Sequence, residues 1–238
     1  NTETGETETR QFDLSEFTHV AIGSAFSYEI KQSDTYSISI MANNNLFDDI
    51  KVAKEGQTLK IRMELPGVPW AIFNIDTGPK VFITMPQLYG MNSSGATNGT
   101  VSRFSSTDDL DFTVSGASSV ELLAISAGNV SFHVSGASIV SGDIKAEDIA
   151  LDVSGAGSVQ LEGSASDTEI EASGASHLKL ASLTVNDADI MLSGASDCTL
   201  NLSGRLDTKL SGVSTLEYIG EPTLGKMDIT GASTLKKK

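Results

Sequence analysis

Eight copies of one four-residue unit, about twenty residues apart, constrain this chain more than any other feature. Their central glycines are Gly95, Gly116, Gly136, Gly155, Gly174, Gly194, Gly212 and Gly231, at successive spacings of 21, 20, 19, 19, 20, 18 and 19 residues. Ser115-Gly116-Ala117-Ser118 is typical, with variants such as Ser94-Gly95-Ala96-Thr97 and Ser211-Gly212-Val213-Ser214. A fixed period of this length marks a solenoid, in which each repeat buries its apolar face against its neighbours.

Aligning the chain on those glycines exposes the expected core. Two residues before each glycine stand Val114, Val134, Val153, Ala172, Leu192, Leu210 and Ile229; four before stand Phe112, Phe132, Leu151, Ile170, Ile190, Thr208 and Met227. Four after come Val120, Val140, Val159, Leu178, Cys198, Leu216 and Leu235, and six after Leu122, Gly142, Leu161, Leu180, Leu200 and Tyr218. Polar residues separate the columns, so each repeat predicts two strands with one face inward. The serine and glycine load and the period of two exclude helices. The reading is an all-β, right-handed parallel β-helix of 19–20 residues per coil over 91–238, with a rod on the order of 35 Å from the repeats.

The repeated unit is expected to turn the corner between strands. Glycine reaches positive φ there without strain, and small neighbours let corners stack. The eight glycines are therefore structural. Alternation restarts at the turn, which leaves open whether the alanine or the second serine faces inward. Ser115 or Ser135 as a nucleophile is disfavoured, because an activated nucleophile is one residue with a positioned base and not a ladder.

Residues 12–90 read as an N-terminal β region continuous with the solenoid but without a visible repeat. Ile50-Lys51-Val52 and Leu59-Lys60-Ile61 predict a hairpin turning at Glu55-Gly56. The proline-rich loop at 65–70 around Trp70 is expected to pack back over an open solenoid end. Residues 1–11, polar and acidic, read as a disordered lead or tether.

The net charge is −15, and residues 103–235 hold 19 acids against 6 bases before Lys236-Lys237-Lys238. That surface repels nucleic-acid phosphates and suits anionic lipid poorly. No apolar stretch is long enough for a transmembrane helix. The start at Asn1 carries no signal-like segment, which fits a cytosolic chain or an exported one numbered after signal removal. The single Cys198 excludes an internal disulfide and falls in a core column, where a buried apolar role is expected. His19, His133 and His177 lack metal-ligand spacing and read as surface histidines. No cofactor is implied.

The outward columns carry the one candidate for chemistry. Asp152, Glu169, Glu171, Asp189 and Asp207 are expected to share a face across neighbouring coils, with His133 and Lys209 at its ends. Such a patch suits a cation such as Ca²⁺ in a stabilised spacer, an acid/base pair in a carbohydrate-active enzyme, or simply a solvated face that keeps the rod soluble. The last is favoured.

The repeat, the Val81-Phe82-Ile83-Thr84-Met85-Pro86-Gln87-Leu88 lead-in, the late Tyr218-Ile219-Gly220-Glu221-Pro222 and the opening Phe17-Thr18-His19-Val20-Ala21-Ile22-Gly23 resemble the auto-transporter adhesin head domain, also called the GIN domain. The resemblance covers about 12–235. It implies a parallel β-helix exported to the envelope or surface of bacteria such as Bacteroidetes, and it brings no catalytic residues. The expected partners are host or cell-surface glycans or proteins, or further copies of the chain.

Overall fold

The computed structural model describes residues 6–64 and 78–238. Among the described residues, seven strands precede the repeats: β1 (Thr7–Gln11), β2 (His19–Ile22), β3 (Ser27–Gln32), β4 (Ser37–Asn43), β5 (Ile50–Glu55), β6 (Thr58–Met63) and β7 (Lys80–Met85). The repeats then supply two strands each. These are β8 (Gly90–Ser93) and β9 (Asn98–Ser102), β10 (Leu110–Val114) and β11 (Ser119–Ser126), β12 (Val130–Val134) and β13 (Ile139–Lys145), β14 (Asp148–Val153) and β15 (Ser158–Ser164). They continue through β16 (Asp167–Ala172) and β17 (His177–Val185), β18 (Asp187–Leu192) and β19 (Asp197–Leu202), β20 (Arg205–Leu210) and β21 (Thr215–Ile219), and β22 (Thr223–Ile229) and β23 (Thr234–Lys237).

Even-numbered strands from β8 stack in parallel in one sheet and odd-numbered strands from β9 in the other, so the chain is a β-solenoid. The columns the glycine alignment marks are buried, and a further one that it does not mark, Leu110, Val130, Ile149, Thr168, Ala188 and Leu206, six residues before each glycine, joins them. Phe112 and Phe132 lie fully buried and stacked, centroids 5.1 Å apart at 9°. In the last coil the columns lose cover among the described residues, leaving Ile229 41% exposed. Cys198 is buried as expected, and burial pushes its thiol up to about 12. The folded chain is therefore expected to resist aromatic disulfide reagents and to react rapidly once denaturant is added; prompt labelling of the native chain would contradict that burial.

The corner settles the alternation left open above. The second serine faces inward: Ser118, Ser138, Ser176, Ser196 and Ser214 are buried, while the alanines lie outside. Ser176 Oγ donates to Ser173 O at 2.7 Å and Ser196 Oγ to Ser193 O at 2.9 Å, closing each turn internally. The glycines take φ between 71° and 85°, and each corner hydrogen-bonds to the one before: Ala137 N–H donates to Gly116 O at 2.8 Å and Ala175 N–H to Gly155 O at 2.7 Å.

Residues 12–90 contain two further coils that the repeat search does not see. β2 pairs in parallel with β8 and β3 with β9, while β6 and β7 pair with the opposite edges of β2 and β3. Ser24 stands where later coils have glycine, at φ 75°, and accepts the Ala96 N–H at 2.8 Å. The chain thus lays its second pair of coil strands beneath its first, then crosses back to continue upward. Antiparallel strands close this end: β4 on β7, β1 on β4, and β5 on β6 through the hairpin at Gly56.

One expectation is corrected in part. Of the lead read as disordered, Thr7–Gln11 forms β1, with Thr7 opposite Asn43 and Gln11 opposite Ser39. All five of its side chains are exposed, so no apolar pattern betrays the strand. It is held by backbone pairing and by the Arg10 guanidinium 4.1 Å over the Phe47 ring. The loop around Trp70 lies outside the described residues.

Candidate functional site

The acidic residues singled out from the sequence lie on the outer face of the sheet containing β14, β16, β18 and β20. Strand register divides them into two columns. Glu169, Asp189 and Asp207 stand opposite one another in sequence of coils, and Asp152 stands opposite Glu171. The second column continues through Met191 to Lys209, and His133 Nδ1 reaches Asp152 at 3.6 Å. The five carboxylates therefore share a face without forming one cluster.

A third column, missed by sequence reasoning, runs beside them. Asp109, Asn129, Asp148, Asp167, Asp187 and Arg205 all sit seven residues before a repeat glycine. Extending the glycine alignment by two positions would have revealed it. Three of its aspartates brace the coil above: Asp109 accepts the Asn129 N–H at 2.8 Å, Asp148 the Asp167 N–H at 3.2 Å and Asp187 the Arg205 N–H at 2.7 Å. These carboxylates are committed to backbone donors at strand starts, which explains a like-charge column that would otherwise repel itself.

Asp207 takes the same role. Arg205 Nε donates to it at 2.6 Å and the Lys226 N–H at 2.5 Å. The guanidinium first, and then the amide, hold its carboxyl down at about 2. A depressed carboxyl contributes stability that is complete above its unfolded value near pH 4 and lost as pH falls through the folded value. Asp207→Asn is therefore expected to be less stable than the parent at neutral pH, the gap closing between about pH 4 and pH 2. Acid titrations of both chains followed by circular dichroism check this; a gap constant with pH would remove the brace.

Together these columns border an open depression of about 350 Å³ that includes Asp148, Glu169, Asp187 and Asp207. Glu169, Glu171, Asp152 and Asp189 are exposed, and nothing encloses them from water. A general acid requires a carboxyl held up by burial, and Asp207 moves in the opposite direction. Among the described residues, no three His, Cys, Asp or Glu side chains are placed to hold a metal ion. What this face offers chemically is a ruled, wet, negatively charged surface.

Stacked coils with filled interiors and exposed sheet faces define a repeat scaffold that displays surface columns. The chain belongs to the family described as "Putative auto-transporter adhesin, head GIN domain", whose model matches residues 16–222. A comparison with curated proteins returns no match. Solved structures share the fold. A putative adhesin from Parabacteroides merdae superposes with TM-score 0.86 at 16% identity, covering 98% of this chain and 97% of that one. A putative adhesin from Parabacteroides distasonis superposes with TM-score 0.86 at 17% identity, covering 98% of each chain. A putative lipid binding protein from the same species gives TM-score 0.74 at 18% identity, covering 98% of this chain and 97% of that one. No helix among the described residues is long and apolar enough to cross a membrane.

Proposed function

We propose that this chain is a non-enzymatic adhesin of the bacterial cell envelope or surface, exported to its site of action. It contacts glycans, proteins or its own copies through the outer faces of the solenoid. The observation that carries this reading is the pairing of family membership with the architecture: the interior is filled, so recognition falls to the two long sheet faces. The acidic face supports the non-enzymatic reading, since Asp109, Asp148, Asp187 and Asp207 brace the coils. Glycan-array and whole-cell binding by the purified chain tests the proposal. Saturable binding is expected; no binding above background would overturn adhesion.

A further inference from the structure

The sheet opposite the acidic face is not flat. β11 and β13 pair from Leu122–Gly142 to Ile125–Ile144, so Leu123 and Ala124 of β11 are opposed by Asp143 alone, and Ala124 takes φ 56°. Three coils on from β11, β17 carries one residue more than β15 between Lys179 and Ser182, and three more than β19 between Leu180 and Thr184. β13 and β15 run between these bulged strands in unbroken register. Two ridges thus stand on either side of two level strands, three strand spacings or about 14 Å apart. The groove between them has a volume of about 410 Å³, within the range of roughly 300–1,000 Å³ common to small-ligand sites. Gly142 lets β13 lie close against β11 here: at φ 139°, a Cβ would lie 2.0 Å from Leu122 O.

The lining selects a ligand class. Glu121, Ser141, Gln160 and Lys179 cross the groove as one register row, one side chain per coil. Their side chains have no hydrogen-bond or ion-pair partner among the described residues, unlike Arg205 with Asp207 or Lys236 with Glu217 elsewhere on the rod. Glu121, Asp143 and Glu162 against a single Lys179 disfavour a phosphate or carboxylate ligand. The polar row disfavours an apolar one. Leu123, 45% exposed on one ridge, supplies an apolar surface for C–H groups. Donors and acceptors spaced at about 4.8 Å beside an aliphatic wall match a ring that carries hydroxyls at its edge and C–H bonds on its face.

We infer that this groove is a sugar-binding site that seats a neutral pyranose ring of a glycan. The inference rests on the adhesin reading and gives it an address. Gln160 and Glu121 bond ring hydroxyls, Lys179 donates to a hydroxyl or ring oxygen, and Leu123 covers one ring face.

The test titrates ¹⁵N-labelled full chain with the methyl pyranosides of glucose, galactose, mannose and N-acetylglucosamine. Saturable amide shifts confined to the neighbourhood of Glu121, Ser141, Gln160 and Ser182 are expected with at least one of them. Gln160→Ala is expected to weaken that binding about tenfold, the worth of one well-placed hydrogen bond. Ser182→Trp fills the groove from an exposed ridge and is expected to abolish it. Glu169→Gln, on the other sheet, leaves it unchanged. No shifts with any sugar, or shifts centred on Glu169 and Asp189, overturn the inference. Should Ser182→Trp not fold, Gln160→Ala alone decides. Whole-cell binding separates the two levels: a parent chain that binds cells as well as folded Ser182→Trp removes the groove and keeps adhesion, whereas a parent that binds no cells removes adhesion itself.

Discussion

Gly136→Ala is expected to destabilise the chain by about 3–5 kcal/mol, although it adds a single methyl group. Gly136 sits at φ 74°, where an L-residue with a Cβ is strained by roughly 1–2 kcal/mol. The larger share is contact. A Cβ built there meets Gly116 O at 2.4 Å, and that oxygen accepts the Ala137 N–H at 2.8 Å. It cannot retreat without opening the stack, because the same arrangement recurs in the coils above and below. Neighbouring Ala137 points outward, so Ala137→Ser is expected to stay within about 0.5 kcal/mol. Denaturant titrations of the two variants beside the parent decide the matter. A Gly136→Ala midpoint within error of the parent would mean that the corner tolerates a side chain, and that the glycine column serves something other than stacking.

Phe132→Ala is expected to cost about 3–5 kcal/mol through a different mechanism. Its ring is fully buried and lies parallel to that of Phe112 one coil away, so truncation removes apolar area and leaves a hole against a second ring. Phe132→Leu retains most of the volume and is expected to lose less than about 1.5 kcal/mol. The damage should be local, since each coil touches only its neighbours. Amide exchange in the alanine variant is expected to accelerate in β10, β12 and β14 and to stay slow in β18 and β20. Uniform acceleration along the rod would show that the coils unfold as one unit.

What the sequence makes legible follows from repetition. Eight glycines in register mark the corners, and residues two and four before them, four and six after, mark the core, down to Cys198 in place of valine or leucine. The first coils escaped because their signals are degenerate. Ser24 replaces the corner glycine, and the strands stacked beneath β2 and β3 come later in the chain, an order that sequence adjacency does not encode. β1 escaped because it buries nothing and pairs through its backbone, with Arg10 over Phe47 as its one ring contact. The inward serine was undecidable because serine and alanine are equally small, and the choice rests on which one returns a hydrogen bond to the corner. On the candidate site, the columns of Glu169 and Glu171 were legible as outward positions. The division between them was not, because it depends on strand pairing. Nor was the groove at Gly142, which arises from bulges that interrupt the period on which the alignment relies.

The unbroken stacking of corners has an evolutionary consequence. A corner that contacts its neighbours through the same carbonyl and the same amide in each repeat is a joint of uniform geometry. Gain or loss of one whole unit would lengthen or shorten the rod by about 4.8 Å while the corner hydrogen bonds re-form between the new neighbours. Reach and recognition are therefore independent variables in this architecture: a lineage is free to change how far the rod extends by duplicating rungs, while it rewrites what the rod holds by substituting outward residues one at a time.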